Sequence, residues 1–169
     1  MPSAAATRPR RTYRTGLATQ ILRGLALLGM LAVTIAVLRA YPDLPDTVPT
    51  HFGANGQPDS YGPRWSLLVL VGIWWVLLAG IGWLSARPRM LNYPLVVTES
   101  NAQLLYREAE RMLVWLMIAL VVVGVAMIVG VLGHQVGWLI WVGLAGTLAV
   151  TVAGIVRMIR VDGRTDPDA

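Results

Sequence analysis

Three stretches of this chain run long without a formal charge, at 24–38, 65–86 and 112–156. A membrane-spanning helix needs about 20 apolar residues, because the hydrocarbon core is about 30 Å thick and each helical residue rises about 1.5 Å. The second stretch meets that length as it stands and ends at Arg87-Pro88, where proline stops a helix, so it predicts a span over about 66–86. The first is short, but Arg23 and Arg39 at its edges can reach their charged heads towards water, which stretches the helix to about 17–40. The third is too long for one crossing. Its middle, Gly130 to Gly137, holds three glycines and the polar pair His134-Gln135, and splits it into spans over about 112–132 and 138–159.

The expected fold is therefore all-α, an integral membrane four-helix bundle over 17–160, with a basic segment at 1–16, an outer loop at 41–65, an inner loop at 87–111 and a tail at 161–169. Composition agrees: the chain is 56% hydrophobic and 14% charged with a mean hydropathy of +0.60, which makes the lipid bilayer its main partner. The arginine-rich start followed by an apolar run also fits a signal peptide, but Leu38-Arg39-Ala40 lacks the small first residue of a cleavage site, so an uncleaved anchor is expected. A net charge of +5 does not indicate a nucleic-acid partner here, because the arginines flank apolar runs instead of forming a stripe with interleaved aromatics. Without cysteine there is no disulfide, thiolate metal site or thiol nucleophile.

Cytoplasmic flanks carry the excess of positive charge. Arg8, Arg10, Arg11 and Arg14 precede the first span, Arg87, Arg89, Arg107 and Arg111 lie between the second and third, and Arg157, Arg160 and Arg164 follow the fourth. The 41–65 loop has one Arg against Asp43, Asp46 and Asp59. Both termini are thus expected in the cytoplasm of a bacterial cell, with 41–65 and the 133–137 turn outside.

No span carries an ionisable side chain near mid-membrane, where transporters and proton relays place them. Thr34, Thr147 and Thr151 can bond back to their own helices. Ala145, Ala149 and Ala153 recur at four-residue spacing beside Gly143, Gly146 and Gly154, which predicts close helix packing within the monomer, or else a homodimer or membrane-partner seam. Trp65, Trp115, Trp138 and Trp141 sit where interface anchors sit. In the inner loop, Ser100 and Gln103 have capping-box spacing, and Ala102, Leu105, Ala109 and Met112 recur at helical spacing, so the third helix should begin about three turns before the bilayer. Arg107, Glu108, Glu110 and Arg111 read there as a solvated face.

The 41–65 loop is the most informative segment. Five prolines and three glycines between Tyr41 and Arg64 rule out a regular helix and predict an irregular compact cap, stiffened by proline. Asn55-Gly56 signals a tight turn that folds His51 and Phe52 back towards Asp59. His51 with Asp43, Asp46 or Asp59 could form a metal site or an acid/base pair, but metal sites usually show several ligands at fixed spacing, and a structural role for His51 is the preferred reading. No cofactor, metal or catalytic residue is expected. The candidate ligand-binding or loop-organising residues are His51, Phe52, Asn55, Gly56, Asp59 and Arg64, with His51 positioned by Asp59 and Arg64 anchoring the start of the second helix in one linked polar set.

Leu44-Pro45, the run Pro49-Thr50-His51-Phe52, Gly56 and Asp59, followed at once by an apolar helix, together with Asn92-Tyr93-Pro94, Thr98-Glu99-Ser100-Asn101 and Tyr106-Arg107, resemble a bacterial membrane domain of unknown function that also begins Sdp-type toxin-immunity proteins. The resemblance spans about residues 20–130. It implies immunity against a secreted killing peptide and, in longer members with a further helical region that this chain lacks, capture of a transcriptional repressor at the membrane. Arg64 stands where the group often has Lys. The expectation that follows is a non-enzymatic multi-pass protein of the bacterial plasma membrane whose outer loop recognises a peptide or lipid in an immunity or sensing role. A small transport or accessory subunit bound to a larger membrane partner is the rival.

Overall fold

In lipid every backbone polar group must be satisfied internally, and the long apolar runs do so as helices. The computed structural model describes residues 8–133 and 137–163, so His134 and Gln135 of the expected turn lie outside the described residues. Four helices are long and apolar enough to cross a membrane: α1 (Leu17–Ala40), α2 (Trp65–Ser85), α3 (Ala102–Val131) and α4 (Gly137–Ile159). One turn of 3-10 helix, Tyr41–Asp43, closes α1, and another, Pro88–Met90, follows α2.

The longest helix, α3, is central and packs against α1, α2 and α4. Leu105, Val114, Met117 and Ala126 are buried along it, while α4 packs chiefly on α3 and leaves Leu148, Val152 and Ile155 exposed to lipid. Two indoles tie the helices together. Trp74 Nε1 donates to the Leu120 carbonyl at 3.0 Å, and Trp75 Nε1 donates to Thr34 Oγ1 at 2.9 Å. Thr34, Thr147 and Thr151 each donate to the carbonyl four residues back, which satisfies their hydroxyls within the helix.

Between α1 and α2 the chain is neither purely helical nor irregular, which corrects the all-α expectation. Strands β1 (Thr47–Phe52) and β2 (Pro58–Pro63) form an antiparallel hairpin, with Val48 opposite Gly62 and His51 opposite Ser60. A two-stranded ribbon consists of edges only, so Pro49, Pro58 and Pro63 can sit in it without breaking a continuous sheet. Register shifts on both sides of His51 absorb the remaining irregularity. Val48 is buried and Phe52 packs beside it in the core formed by α1, α2 and α3, which seats the hairpin on the helix ends.

Two further expectations are corrected. The Ser100–Gln103 capping box does not form. Asn101 is the N-cap residue; its side chain accepts from Thr98 N–H at 2.9 Å and donates to the Val96 carbonyl at 3.0 Å. Gln103 turns instead to the N-terminal segment, accepting from Thr12 N–H and donating to the Arg10 carbonyl. On α4 Gly143 and Gly154 make the expected close approach to α3, whereas Ala145, Ala149 and Ala153 take no part in it and are exposed. A Cβ at Gly143 would lie 3.0 Å from Val123 N and 3.2 Å from Val123 Cα, so backbone would have to move. Gly143→Ala should therefore destabilise the fold by about 1–3 kcal/mol, the usual overpacking range, while Ala149→Leu should leave the monomer unchanged. Thermal unfolding in detergent distinguishes them; equal effects would remove the glycine seam.

Candidate functional site

The hairpin carries most of the residues singled out by sequence. Gly53 N–H donates to the Gln57 carbonyl at 2.9 Å, Gly56 N–H to the Gly53 carbonyl at 2.8 Å, and Gln57 N–H to Asn55 Oδ1 at 3.0 Å. Gly56 adopts φ +74°, the left-handed conformation for which glycine has no steric penalty. Asn55-Gly56 thus closes the turn and brings His51 and Asp59 side by side, with His51 Nδ1 2.5 Å from Asp59 Oδ1. Where the carboxylate is ionised it can only accept, and the imidazole is then the donor through Nδ1. Both side chains are more than half exposed, at 69% and 52%, so the pair contributes at most about 1 kcal/mol to stability and its interest is chemical.

Arg64 belongs to a separate group. Its backbone N–H donates to the Asp46 carbonyl at 2.9 Å, its Nη1 donates to the Leu44 carbonyl at 3.3 Å, and its guanidinium lies over the Tyr41 ring. It ties the start of the hairpin to the start of α2, as its anchoring role requires, but it is not linked to His51 and Asp59. Phe52 points the other way, into the helices, where a Cβ at Gly130 would touch its ring at 3.0 Å.

The hairpin tip rests on the first turn of α4. Gly56 and Gly137 meet so closely that a Cβ on Gly56 would lie 2.8 Å from Gly137 Cα, and Trp141 Nε1 donates to the Ala54 carbonyl at 3.3 Å. Between tip and helix lies a cleft of about 310 Å³ with an apolar wall of Ile140, Trp141 and Leu144 and with His51 at its edge. Such a cleft can receive an amphiphile, its apolar part against α4 and its polar part at the His51–Asp59 pair. Among the described residues no three His, Asp or Glu side chains are grouped as a metal ion would require.

At the opposite end of the bundle lies a polar centre that the reading of sequence placed in solvent. Glu110 is 2% exposed. Its Oε1 accepts from Thr15 Oγ1 and Arg23 Nη2, each at 2.8 Å, and its Oε2 accepts from Tyr13 O–H at 2.9 Å and Arg11 Nη2 at 3.3 Å. Burial and the adjacent Glu110 carboxylate push the Tyr13 phenol well above its ordinary pKa, so it remains a donor. Residues 8–15 lie across α3 as a strap: Arg8 Nη1 donates to the Arg89 and Leu91 carbonyls, Arg89 Nη2 to the Arg8 carbonyl, and Tyr106 O–H to the Pro9 carbonyl. One signal was available. Glu110 stands four residues after Tyr106 and four before Val114, on the face of α3 that both bury.

Residues 27–74, from mid-α1 through the hairpin to mid-α2, match the model of a domain of unknown function, DUF1648. An uncharacterised protein of the archaeon Archaeoglobus fulgidus is 49% identical over 55 residues, a match that covers 30% of this chain and 30% of that relative. The similarity is therefore to an uncharacterised domain that occurs in an archaeal protein, and the chain spans less than a third of the curated relative it matches. No solved structure matches.

Proposed function

We propose that this is a non-enzymatic, multi-pass protein of the bacterial plasma membrane whose hairpin faces outward and binds an amphiphilic peptide or lipid, in an immunity or sensing role. The observation that carries this reading is the cleft in which exposed His51, held by Asp59 beside it, faces the apolar wall of α4. The pair supplies hydrogen bonding where the wall supplies burial. The matched domain segment includes the whole hairpin. A benzophenone side chain introduced at Ala54 and irradiated in intact cells of the native host should yield a peptide or lipid adduct that disappears in His51→Ala and Asp59→Ala. No adduct, or one that survives both substitutions, overturns the binding reading.

The outward orientation follows from the arginine distribution, with both termini and residues 87–101 in the cytoplasm. The chain has no native Cys, so single cysteines report cleanly. A Cys at Asp59 should react with an impermeant thiol reagent in intact cells and one at Ser100 should not; labelling at Ser100 alone reverses the orientation.

The second reading is an accessory subunit that meets a membrane partner, or a second copy of the chain, through α4. The exposed Ala145, Ala149 and Ala153 favour it, because small residues on a lipid-facing surface let another helix approach closely. Under this reading Ala149→Leu abolishes activity and hairpin substitutions do not.

A further inference from the structure

Between α3 and α4, at the strap end of the bundle, lies an open groove of about 280 Å³ that neither helix fills. Its floor is the close contact of Gly154 with Met112, where a Cβ on the glycine would overlap the Met112 side chain. Its α4 wall is made by Ala149 and Ala153, both exposed, whose methyl groups leave free the space that larger side chains would occupy. Trp115 of α3 also lines the groove and is 46% exposed. The groove therefore opens sideways at the level of the uncharged run 112–156, where acyl chains surround the protein. A void there would forfeit dispersion contacts along both walls, so a groove of this kind takes up acyl chain.

The polar groups at its mouth decide which lipid enters. Arg157 follows the last residue of the uncharged run; it is exposed and has no hydrogen bond, ion pair or ring contact among the described residues. The Trp115 indole N–H likewise has no acceptor among them. Glu108 stands at the same mouth, but its Oε1 is held by Arg111 at 2.8 Å, so that pair adds no net charge. One uncommitted guanidinium remains, and its forked donors fit phosphate oxygens. From Arg157 to Ala149 the helix runs just over two turns, about 12 Å, which gives an acyl chain a track below the phosphate. We propose that the α3–α4 groove holds one acyl chain of an anionic phospholipid whose phosphate pairs with Arg157. A second copy of α4 fits less well: between Gly137 and Ile159 it has no acidic side chain and would bring only arginine to Arg157. The site is independent of the hairpin and of any ligand bound there.

The test uses the purified full-length protein in detergent at low ionic strength, titrated with phosphatidylglycerol or phosphatidylcholine and read by native mass spectrometry, which also counts copies of the chain. Phosphatidylglycerol should bind about fivefold more tightly, the effect of one arginine near an anionic headgroup. Arg157→Gln should abolish that preference and leave phosphatidylcholine binding unchanged. Ala149→Leu and Ala153→Leu, which fill the groove from exposed positions, should each weaken both lipids severalfold. Arg39→Gln, the same charge loss at the other end of the bundle, should change neither. Equal binding of the two lipids by the parent, a preference that survives Arg157→Gln, or lipid binding indifferent to both leucines overturns the proposal. A dimer that excludes lipid and separates in Ala149→Leu also overturns it, and assigns the groove to a second copy of the chain.

Discussion

Glu110→Ala should destabilise the protein by about 2–4 kcal/mol and release the N-terminal strap. Removing one member of a buried ion pair typically costs about 3–5 kcal/mol, because the remaining charge stays buried without compensation. The value here is lowered because the Arg11 and Arg23 side chains keep 22% and 23% of their exposure and can partly rehydrate, whereas the Glu110 side chain keeps 3%. Tyr13 and Thr15 lose their acceptor at the same time. Glu110→Gln keeps one acceptor oxygen and should fall between. Thermal unfolding in detergent measures the loss, and limited trypsin digestion at Arg10, Arg11 and Arg14 measures strap release. A Glu110→Ala protein that unfolds with the parent and resists trypsin would show that the buried carboxylate holds nothing.

Gly56→Val should cost about 2–5 kcal/mol locally, combining an unfavourable left-handed backbone with a forced separation from α4. The added Cβ meets Gly137 backbone, which cannot rotate away as a side chain could. The hairpin tip should lift from α4, losing the Trp141 contact to the Ala54 carbonyl and the cleft between them. Hydrogen exchange at the Gly53 and Gly56 amides, both bonded within the turn, should rise while the helices stay protected. Gly56→Asn separates the two causes, since Asn tolerates the backbone conformation but not the close approach. If both variants keep their amide protection, the glycine-to-glycine contact does not hold the tip.

The features that sequence made legible are those encoded by neighbouring residues. The uncharged runs needed only hydropathy, and the Asn55-Gly56 turn only local backbone preference. The strands were hidden because prolines at Pro49, Pro58 and Pro63 argue against a sheet, and only a lone ribbon without a central strand removes that objection. Pairing of His51 with Asp59 followed from the turn, while the separation of Arg64 depended on where Tyr41 and Leu44 come to rest after α1. The burial of Glu110 was least accessible. Its neighbours Arg107, Glu108 and Arg111 look like a solvated face, and what covers it is a segment whose Tyr13 and Thr15 lie 97 and 95 residues earlier.

That separation also orders events in time during synthesis. Thr15 of the strap is synthesised about 5–20 s before Glu110 at ordinary elongation rates, for a gap of 95 residues, and Arg23 likewise precedes it. Throughout that interval α1 must commit to its direction across the membrane with Arg11, Arg14 and Arg23 wholly uncompensated. In the orientation proposed above the arginines act at full strength on insertion, and Arg11 and Arg23 gain their carboxylate partner only afterwards, when α3 arrives and the strap closes over it. Arg11 and Arg23 thus serve the proposed orientation first and the finished bundle later.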